Sequence, residues 1–128
     1  MIGAEATVRL IAARLGCALL AVLLARAAGA QDAAAGKQVF MQCAACHSID
    51  GSTRTGPTLK GIIGRKVGTI ADFHYSRAMK RANIVWDAAS LEVYLDHPQQ
   101  LIPGNTMPFP GIGDAKQRAD LVAYLQTL

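Results

Sequence analysis

The run Cys43-Ala44-Ala45-Cys46-His47 constrains this chain more than any other feature of its sequence. Two thiols three positions apart lie on one side of a helical turn, so both can reach one edge of a flat macrocycle. The histidine that follows can place an imidazole nitrogen on a metal at the centre of that macrocycle. In an exported chain the C-x-x-C-H pattern is the attachment signal for a c-type haem. The motif therefore predicts one covalent haem c, attached through Cys43 and Cys46, with His47 as an axial iron ligand.

Two other interpretations of the motif are weaker. A redox-active C-x-x-C disulfide belongs beside a βαβ pattern, which this sequence lacks. A structural zinc site needs further Cys or His residues at ligand spacing. The remaining candidates, Cys17, His74 and His97, are scattered along the chain. Haem attachment is therefore the favoured interpretation.

Residues 1–30 have the features of a cleavable secretory signal peptide. Arg9 and Arg14 supply positive charge, and the apolar run that follows, 15–24, has ten residues. A membrane span needs about 20 apolar residues, so this run is too short to remain as an anchor. Small residues precede an expected cleavage site after Ala30. The sequence therefore predicts export to the periplasm, with no stable membrane insertion after cleavage.

The expected mature chain, residues 31–128, is one small domain. Removal of 30 of the 128 residues leaves 98. A chain of this length builds only a modest hydrophobic core unless a cofactor adds to it. The expected mature chain holds ten Lys or Arg and eight Asp or Glu residues, which gives a formal charge of +2. No basic run or aromatic-interleaved basic patch indicates nucleic-acid binding.

Helical periodicity and capping residues predict an all-α domain with four helices and long loops. The loops over 48–69 and 97–113 are too long for a self-packed bundle, so we expect them to wrap a cofactor. Asp32 and Asp87 are the expected N-caps of the first and third helices. The predicted helices span about 32–46, 76–81, 88–96 and 114–127.

A six-coordinate haem iron needs a second ligand, and the candidates are Met41, Met79, Met107, His74 and His97. Met41 lies on the helix that carries the C-x-x-C-H motif, so it cannot reach the other face of the haem. His97 precedes a proline at a helix end, which is typical of a surface residue, and Met79 suits core packing equally well. Met107 lies in a proline-rich stretch whose fixed φ angles stiffen the loop. A stiff loop that presents one thioether suits a His/Met iron site, so Met107 is favoured.

Several stretches of residues 33–128 together resemble the class I cytochromes c, in particular soluble mitochondrial-type and bacterial c2-like members. The resemblance implies the small cytochrome c fold, with helices and long loops wrapped around one haem. It rests on the following segments: 43–47 (CAACH), 56–59 (GPTL), 64–68 (GRKVG), 85–86 (VW), 102–109 (IPGNTMPF) and 118–125 (RADLVAYL).

The resemblance implies roles for residues beside the two axial ligands. Pro57 would accept a hydrogen bond from the second ring nitrogen of His47, which fixes the imidazole and tunes its basicity. Tyr94 would lie near the sulfur of Met107. Both residues would then act on the iron through a ligand.

The resemblance also implies a second set of pocket residues. Tyr75 and Trp86 would donate hydrogen bonds to a buried haem propionate, and Arg65 would help to hold its charge. Gly36 and Phe40 would pack against the last helix.

The function that the resemblance implies is that of a monomeric, non-enzymatic electron carrier in a respiratory or photosynthetic chain. Its partners would be transient: a cytochrome bc1-type donor, and an oxidase, a reductase or a reaction-centre acceptor. Gln42 and Thr106 stand where family members often carry lysine, which argues against docking to strongly acidic partner faces. The alternative is an electron-accepting subunit of a periplasmic oxidoreductase complex. A peroxidase or gas sensor would instead need an open iron position.

Overall fold

Five helices joined by long loops make up residues 30–128, the part of the chain that the computed structural model describes. Residues Gln31–Leu128 form one compact unit. The one β feature within it is an isolated antiparallel bridge between Lys66 and Val85. The predicted all-α class is confirmed. The helices are α1 (Ala33–Phe40), α2 (Arg77–Arg81), α3 (Ala88–Asp96), α4 (Pro98–Leu101) and α5 (Ala115–Leu125).

The predicted signal peptide, apart from Ala30, lies outside the described residues, as does Cys17. Over residues 30–128, no helix combines the length and the hydropathy that crossing a bilayer requires.

Side-chain caps fix where the principal helices begin. Asp32 accepts a hydrogen bond from the backbone of Ala34 at 2.8 Å, so it caps α1 as predicted. Asp87 and Ser90 form a reciprocal capping box at the start of α3. Asp114 caps α5 by accepting a hydrogen bond from the backbone N–H of Gln117 at 2.9 Å. Each cap satisfies backbone donors that the first helical turn leaves without partners.

The first helix is shorter than predicted. Regular α-helix ends at Phe40, and turns continue to Cys46. The N–H of Ala44 still bonds the carbonyl of Phe40 at 3.1 Å, but the N–H of Cys46 bonds the carbonyl of Cys43 three residues back at 3.1 Å. Such i−3 bonds tighten the helical path. The motif therefore lies on a tight helical turn instead of on a continuous helix.

Helix α4 was not predicted, because its four residues were assigned to the loop 97–113. Pro98 occupies its first position, where the fixed φ of proline suits a helix and its missing N–H costs nothing. This short turn carries the chain from the end of α3 into the loop that holds Met107.

Helices α1 and α5 cross in close contact. A Cβ at Gly36 would lie 1.9 Å from the carbonyl oxygen of Asp120, so only glycine allows this approach. The rings of Phe40 and Tyr124 pack at the same crossing, with centroids 5.3 Å apart. The N–H of Asp32 donates to a carboxylate oxygen of Asp120 at 2.8 Å. Gly36 and Phe40 thus pack against the last helix, as the resemblance implies.

The Asp120 carboxylate is buried at this crossing. Lys116 Nζ lies 2.5 and 2.7 Å from its two oxygens. The hydrogen bond from the Lys116 side chain, followed by the one from the backbone of Asp32, holds the pKa of Asp120 below its ordinary value. The carboxylate therefore stays ionised at neutral pH and joins the start of α1 to α5.

We expect Gly36→Ala to destabilise the haem-loaded protein by roughly 2 kcal/mol, because the added methyl group overpacks the crossing. Alanine favours a helix over glycine by about 1 kcal/mol, so the clash must exceed that gain. Gly113→Ala is the matched control, since a Cβ there meets no atom within 4 Å. Denaturant unfolding measures both variants. Equal midpoints would contradict the close approach of α1 and α5.

Candidate cofactor site

An apolar cavity of about 480 Å3 lies among the helices and the long loops. Its volume is within the range of about 300–1,000 Å3 typical of small-molecule and cofactor sites. Cys43, Cys46 and His47 of the motif line it, and so does Met107, which lies in a loop far along the chain. Its walls also include the aliphatic side chains of Leu59, Ile62, Leu91, Leu95, Leu121 and Leu125 and the aromatic side chains of Phe73, Tyr75, Trp86, Tyr94 and Phe109.

Cys43 and Cys46 are both half-buried free thiols on the tight turn that follows α1. Burial, and to a lesser extent the neighbouring Cys46, raises the pKa of Cys43 to about 11. A redox-active cysteine instead needs a lowered pKa, because the thiolate is the reactive species. The environment of the Cys43 thiol therefore argues against a catalytic disulfide. Both cysteines line the cavity.

The imidazole of His47 is oriented by a backbone carbonyl. Its Nδ1 donates to the carbonyl oxygen of Pro57 at 2.7 Å. This bond fixes the tautomer and leaves Nε2 with a lone pair available to a metal. The N–H of Gly56 donates to the carbonyl oxygen of Cys46 at 2.8 Å, which joins the Gly-Pro segment directly to the motif.

Gly56 allows that segment to approach the imidazole. A Cβ at this position would lie 2.5 Å from His47 Cε1 and 2.8 Å from Nδ1. No side chain fits in that space without moving the ring. The glycine of the Gly-Pro pair therefore acts with the proline carbonyl to set the ring position.

Met107 is half-buried at the cavity and has a hydroxyl group beside its sulfur. The Tyr94 hydroxyl lies 3.8 Å from Met107 Sδ, within reach of a hydrogen bond to sulfur. Burial raises the pKa of Tyr94 to about 12, so the hydroxyl keeps its proton over the physiological range. The ring of Trp86 packs edge-on against Tyr94 with centroids 5.0 Å apart and restricts its movement.

The geometry narrows the choice of second ligand. Met41 is 65% exposed, and neither His74 nor His97 lines the cavity. His97 is a surface residue, as expected, and its Nδ1 lies 3.2 Å from a carboxylate oxygen of Asp96. Met79 and Met107 both line the cavity. Of these two thioethers, Met107 is the one that lies beside a hydroxyl donor.

Arg65, Tyr75 and Trp86 also line the cavity. The Arg65 guanidinium donates to the carbonyl oxygens of Thr58 at 2.8 Å and Lys60 at 2.9 Å, which fixes its position. Burial lowers the pKa of Arg65, and burial raises that of Tyr75. A fixed cation and two side chains with hydrogen-bond donors suit a buried carboxylate. The donor set therefore fits the propionates of a haem.

Sequence reasoning missed two residues that hold the Met107 loop, Asn105 in the loop and Gln99 on α4. Asn105 is buried, and its side-chain nitrogen donates to the backbone carbonyls of Pro98 and Ile102, at the start of α4 and directly after its end. Gln99 bonds to the backbone on either side of the same turn. An asparagine after Pro-Gly is a common turn residue, and a glutamine on a short helix carries no signal at all. Only the folded loop reveals the role of these two amides.

The helices, the turn that carries the C-x-x-C-H motif and the cavity with His47 in its wall define a small all-α domain that suits a covalently held haem. The family model described as Cytochrome c matches residues 33–128. The chain belongs to the cytochrome c family, and its bacterial c2-like relatives place it in class I.

Three known proteins of this family are similar to this chain over most of their length. Cytochrome c2 of Rhodomicrobium vannielii is 39% identical over 117 residues, which cover 90% of this chain and 92% of that protein. Cytochrome c of Tetrahymena pyriformis is 45% identical over 98 residues, covering 76% and 89%. Among solved structures, cytochrome cH from Methylobacterium extorquens superposes with a TM-score of 0.73 at 45% identity, covering 76% of this chain and 99% of that one.

Family membership confirms the predicted cofactor and the coarse function. The chain binds one covalent haem c with its iron, and it is a monohaem electron carrier. The predicted cytochrome c fold is confirmed by the same structural neighbour.

We expect Gly56→Ala to weaken iron binding by the predicted ligand His47 by about tenfold, the lower end of the effect of disturbing a ligand's supporting partner. A proton competes with the metal for the imidazole. The low-spin spectrum should therefore be lost, on acidification, at a pH about one unit higher than in the parent protein. Absorption spectra recorded across an acid titration measure this midpoint. Gly113→Ala is again the control, and an unshifted midpoint in Gly56→Ala would show that the ring position does not depend on Gly56.

Proposed function

We propose that this chain is a periplasmic carrier that passes one electron at a time between protein redox partners, with His47 and Met107 as the axial ligands of its haem iron. One observation carries the proposal: both side chains line the same apolar cavity, and each has a hydrogen-bond partner of its own. Pro57 supports the imidazole, and Tyr94 stands beside the thioether.

Cys43 and Cys46 are the attachment points in this proposal. Each thiol would hold the haem through one thioether bond, with its sulfur and its hydrogen added across a vinyl group, so attachment would need no oxidant and would release no leaving group. The motif on its tight turn offers both sulfurs to one wall of the cavity, with His47 directly after them.

When bound, the haem supplies a one-electron centre, and the chain sets the potential of that centre. The Pro57 carbonyl accepts a hydrogen bond from the His47 imidazole and fixes the tautomer and the orientation of the ring. The Tyr94 hydroxyl donates toward the sulfur of Met107 and draws electron density from it. The aliphatic and aromatic walls exclude water, which disfavours additional charge. A thioether ligand and a dry pocket both favour the reduced state and raise the potential.

Arg65, Tyr75 and Trp86 hold the propionates. The guanidinium supplies a fixed positive charge because its position is set by two backbone carbonyls. The phenol and the indole add hydrogen-bond donors. The arrangement offsets the cost of bringing a carboxylate out of water.

The carrier is not an enzyme in this proposal, because axial ligands on both faces leave the iron no open position. Its partners are transient, of the kind represented by a cytochrome bc1-type donor and an oxidase, reductase or reaction-centre acceptor, and it works as a monomer. Export rests on the signal peptide proposed for residues 1–30, and the compact unit that begins at Gln31 supports a mature domain of 31–128.

The ligand assignment is tested by replacing each of the two cavity methionines. We expect Met107→Leu to abolish the sulfur-to-iron charge-transfer band of the oxidised protein. It should also lower the equilibrium reduction potential by about 0.1–0.3 V, within the range of about 0.8 V that axial ligands span. Met79→Leu is the matched control and should keep both properties. Loss of the band in Met79→Leu, with Met107→Leu unchanged, would overturn the assignment.

The exposed residues that line the cavity, and so form its mouth, are Gln42, Thr55, Thr106 and Pro108, none of which is charged. We therefore expect electron transfer to an anionic oxidant, hexacyanoferrate(III), to depend weakly on salt between about 0.01 M and 1 M, where the Debye length falls from about 30 Å to 3 Å. Stopped-flow absorbance measures the rate. A Gln42→Lys, Thr106→Lys variant should be faster at low salt and lose this gain at high salt.

The control for that experiment, Gln117→Lys, Gln126→Lys, adds the same charge at two exposed residues that do not line the cavity, one on α5 and one directly after it. Its salt dependence should remain close to that of the parent protein. A parent protein as salt-dependent as the lysine variant at the mouth would contradict an uncharged docking rim.

A further inference from the structure

The loop that carries Met107 is held near its centre by the side-chain amide of Asn105. This residue is 5% exposed, so its polar atoms need partners within the protein. Its Nδ2 donates to the carbonyl oxygens of Pro98 at 3.0 Å and Ile102 at 2.9 Å. Both amide hydrogens are therefore used to tie the loop to the start and the end of α4.

The amide oxygen of Asn105 faces Met107. It accepts a hydrogen bond from the backbone N–H of Met107 at 3.2 Å and lies 3.5 Å from the Tyr94 hydroxyl. The same hydroxyl is 3.8 Å from Met107 Sδ. Asn105 thus contacts both the backbone of the proposed ligand and the group that donates to its sulfur. Since the hydroxyl has one proton, the amide oxygen and the sulfur compete for it.

Gln99 closes the same turn from outside. Its Nε2 donates to the backbone carbonyl oxygen of Asn105 at 2.8 Å, and its Oε1 accepts from the N–H of Gly104 at 3.0 Å. Gly104 has a φ of 86°, so the chain reverses sharply at this point. The glutamine side chain uses both ends of its amide to hold that reversal, and it does not touch Tyr94.

The far end of the loop is fixed by different groups. The N–H of Ile112 donates to the carbonyl of Leu95 at 2.8 Å, and Arg118 donates to the carbonyl of Ile112 at 2.6 Å. Between these anchors, Thr106, Pro108 and Pro110 are exposed to solvent. Within the span, backbone bonds join the N–H of Asn105 to the carbonyl of Ile102 at 3.1 Å and that of Phe109 to the carbonyl of Met107 at 2.8 Å. The side-chain hydrogen bonds that hold the backbone leading to Met107 come from the amides of Asn105 and Gln99.

We propose that Asn105 and Gln99 are positioning residues that together form an amide clamp, and that this clamp sets how readily an external ligand displaces the Met107 thioether from the iron. The proposal rests on the assignment of Met107 as the axial ligand under Proposed function. A thioether is a weak neutral ligand, so it keeps its position only if the loop that presents it resists opening. Weakening the clamp lowers the cost of opening and leaves the iron more accessible.

The test is an imidazole titration of the oxidised, haem-loaded protein. The loss of the sulfur-to-iron charge-transfer band is the readout of Met107 displacement. Gln99→Met keeps the length of the side chain and removes its amide. It should bind imidazole about fivefold more tightly or better, because it loses two partly exposed hydrogen bonds, each at the low end of the usual net contribution. Gln100→Met changes the adjacent exposed glutamine in the same way and should stay within about twofold of the parent protein.

Two further variants separate positioning from general stability. Gly36→Ala weakens the fold at the α1–α5 crossing, away from the loop, and should leave imidazole affinity unchanged. Asn105→Leu removes the buried amide and should raise imidazole affinity by about tenfold or more, since it loses several hydrogen bonds. Gln99→Met retains that amide, so the test does not depend on whether Asn105→Leu folds.

The outcomes distinguish the clamp from the ligand assignment. Equal imidazole affinity in Gln99→Met and Gln100→Met, in a protein that shows the charge-transfer band, would overturn the clamp alone. The same rise in affinity in Gly36→Ala as in Gln99→Met would also overturn it, because the effect would then follow global stability. A parent protein without the band would overturn the ligand assignment and the clamp with it.

Discussion

The contact between the walls of the cavity and a large apolar cofactor is the constraint on which the rest of this structure depends. The expected mature chain is small, and small chains bury too little surface to support extensive loops by themselves. Here the long loops after α1 and after α4 contribute walls to the same cavity as α3 and α5. A rigid plate at that position gives every segment one shared surface, which accounts for a fold that has few direct helix–helix contacts.

Two polar junctions hold the frame around that cavity. At the α1–α5 crossing, a glycine allows contact between backbones, and the ionised carboxylate of Asp120 joins the two helices. The second junction is centred on Arg118 of α5, which forms ion pairs with Asp96 at 3.0 Å and Glu92 at 3.4 Å on α3. Arg118 also donates to a backbone carbonyl at the end of the Met107 loop. Both junctions are partly or wholly shielded from water, so their charges interact more strongly than surface pairs would. They fix the ends of the segments, so the side chains of the two proposed ligands, His47 and Met107, are positioned by local contacts.

Local support differs between the two proposed ligands. The proposed ligand His47 directly follows the proposed attachment residue Cys46, and its ring is held by the backbone carbonyl of Pro57 and by the lack of a side chain at Gly56. Met107 lies on a loop whose centre is held by side-chain amides. In the proposed arrangement, the position of His47 is therefore fixed by the covalent attachment beside it and by the close approach of Gly56. The methionine side is the adjustable one, where sequence changes have most effect on ligand exchange and potential.

The sequence predicted what depends on local spacing and missed what depends on the folded loop. The attachment motif, the N-caps Asp32 and Asp87 and the Gly36 contact follow from short-range patterns and a family resemblance. The first helix was predicted too long, because a period of apolar residues does not reveal the tight turn after Phe40. Asn105 and Gln99 are polar residues in a turn region, and burial and pairing become visible only when the loop closes over the cavity.

Extended X-ray absorption at the iron edge of the oxidised, haem-loaded protein tests the central claim most directly, because it counts the atoms bonded to iron by element. A haem placed between His47 and Met107 predicts five nitrogen neighbours and one sulfur neighbour. The sulfur should disappear in Met107→Leu and remain in Met79→Leu. Six nitrogen neighbours, or five neighbours without sulfur, would contradict the account of this cavity.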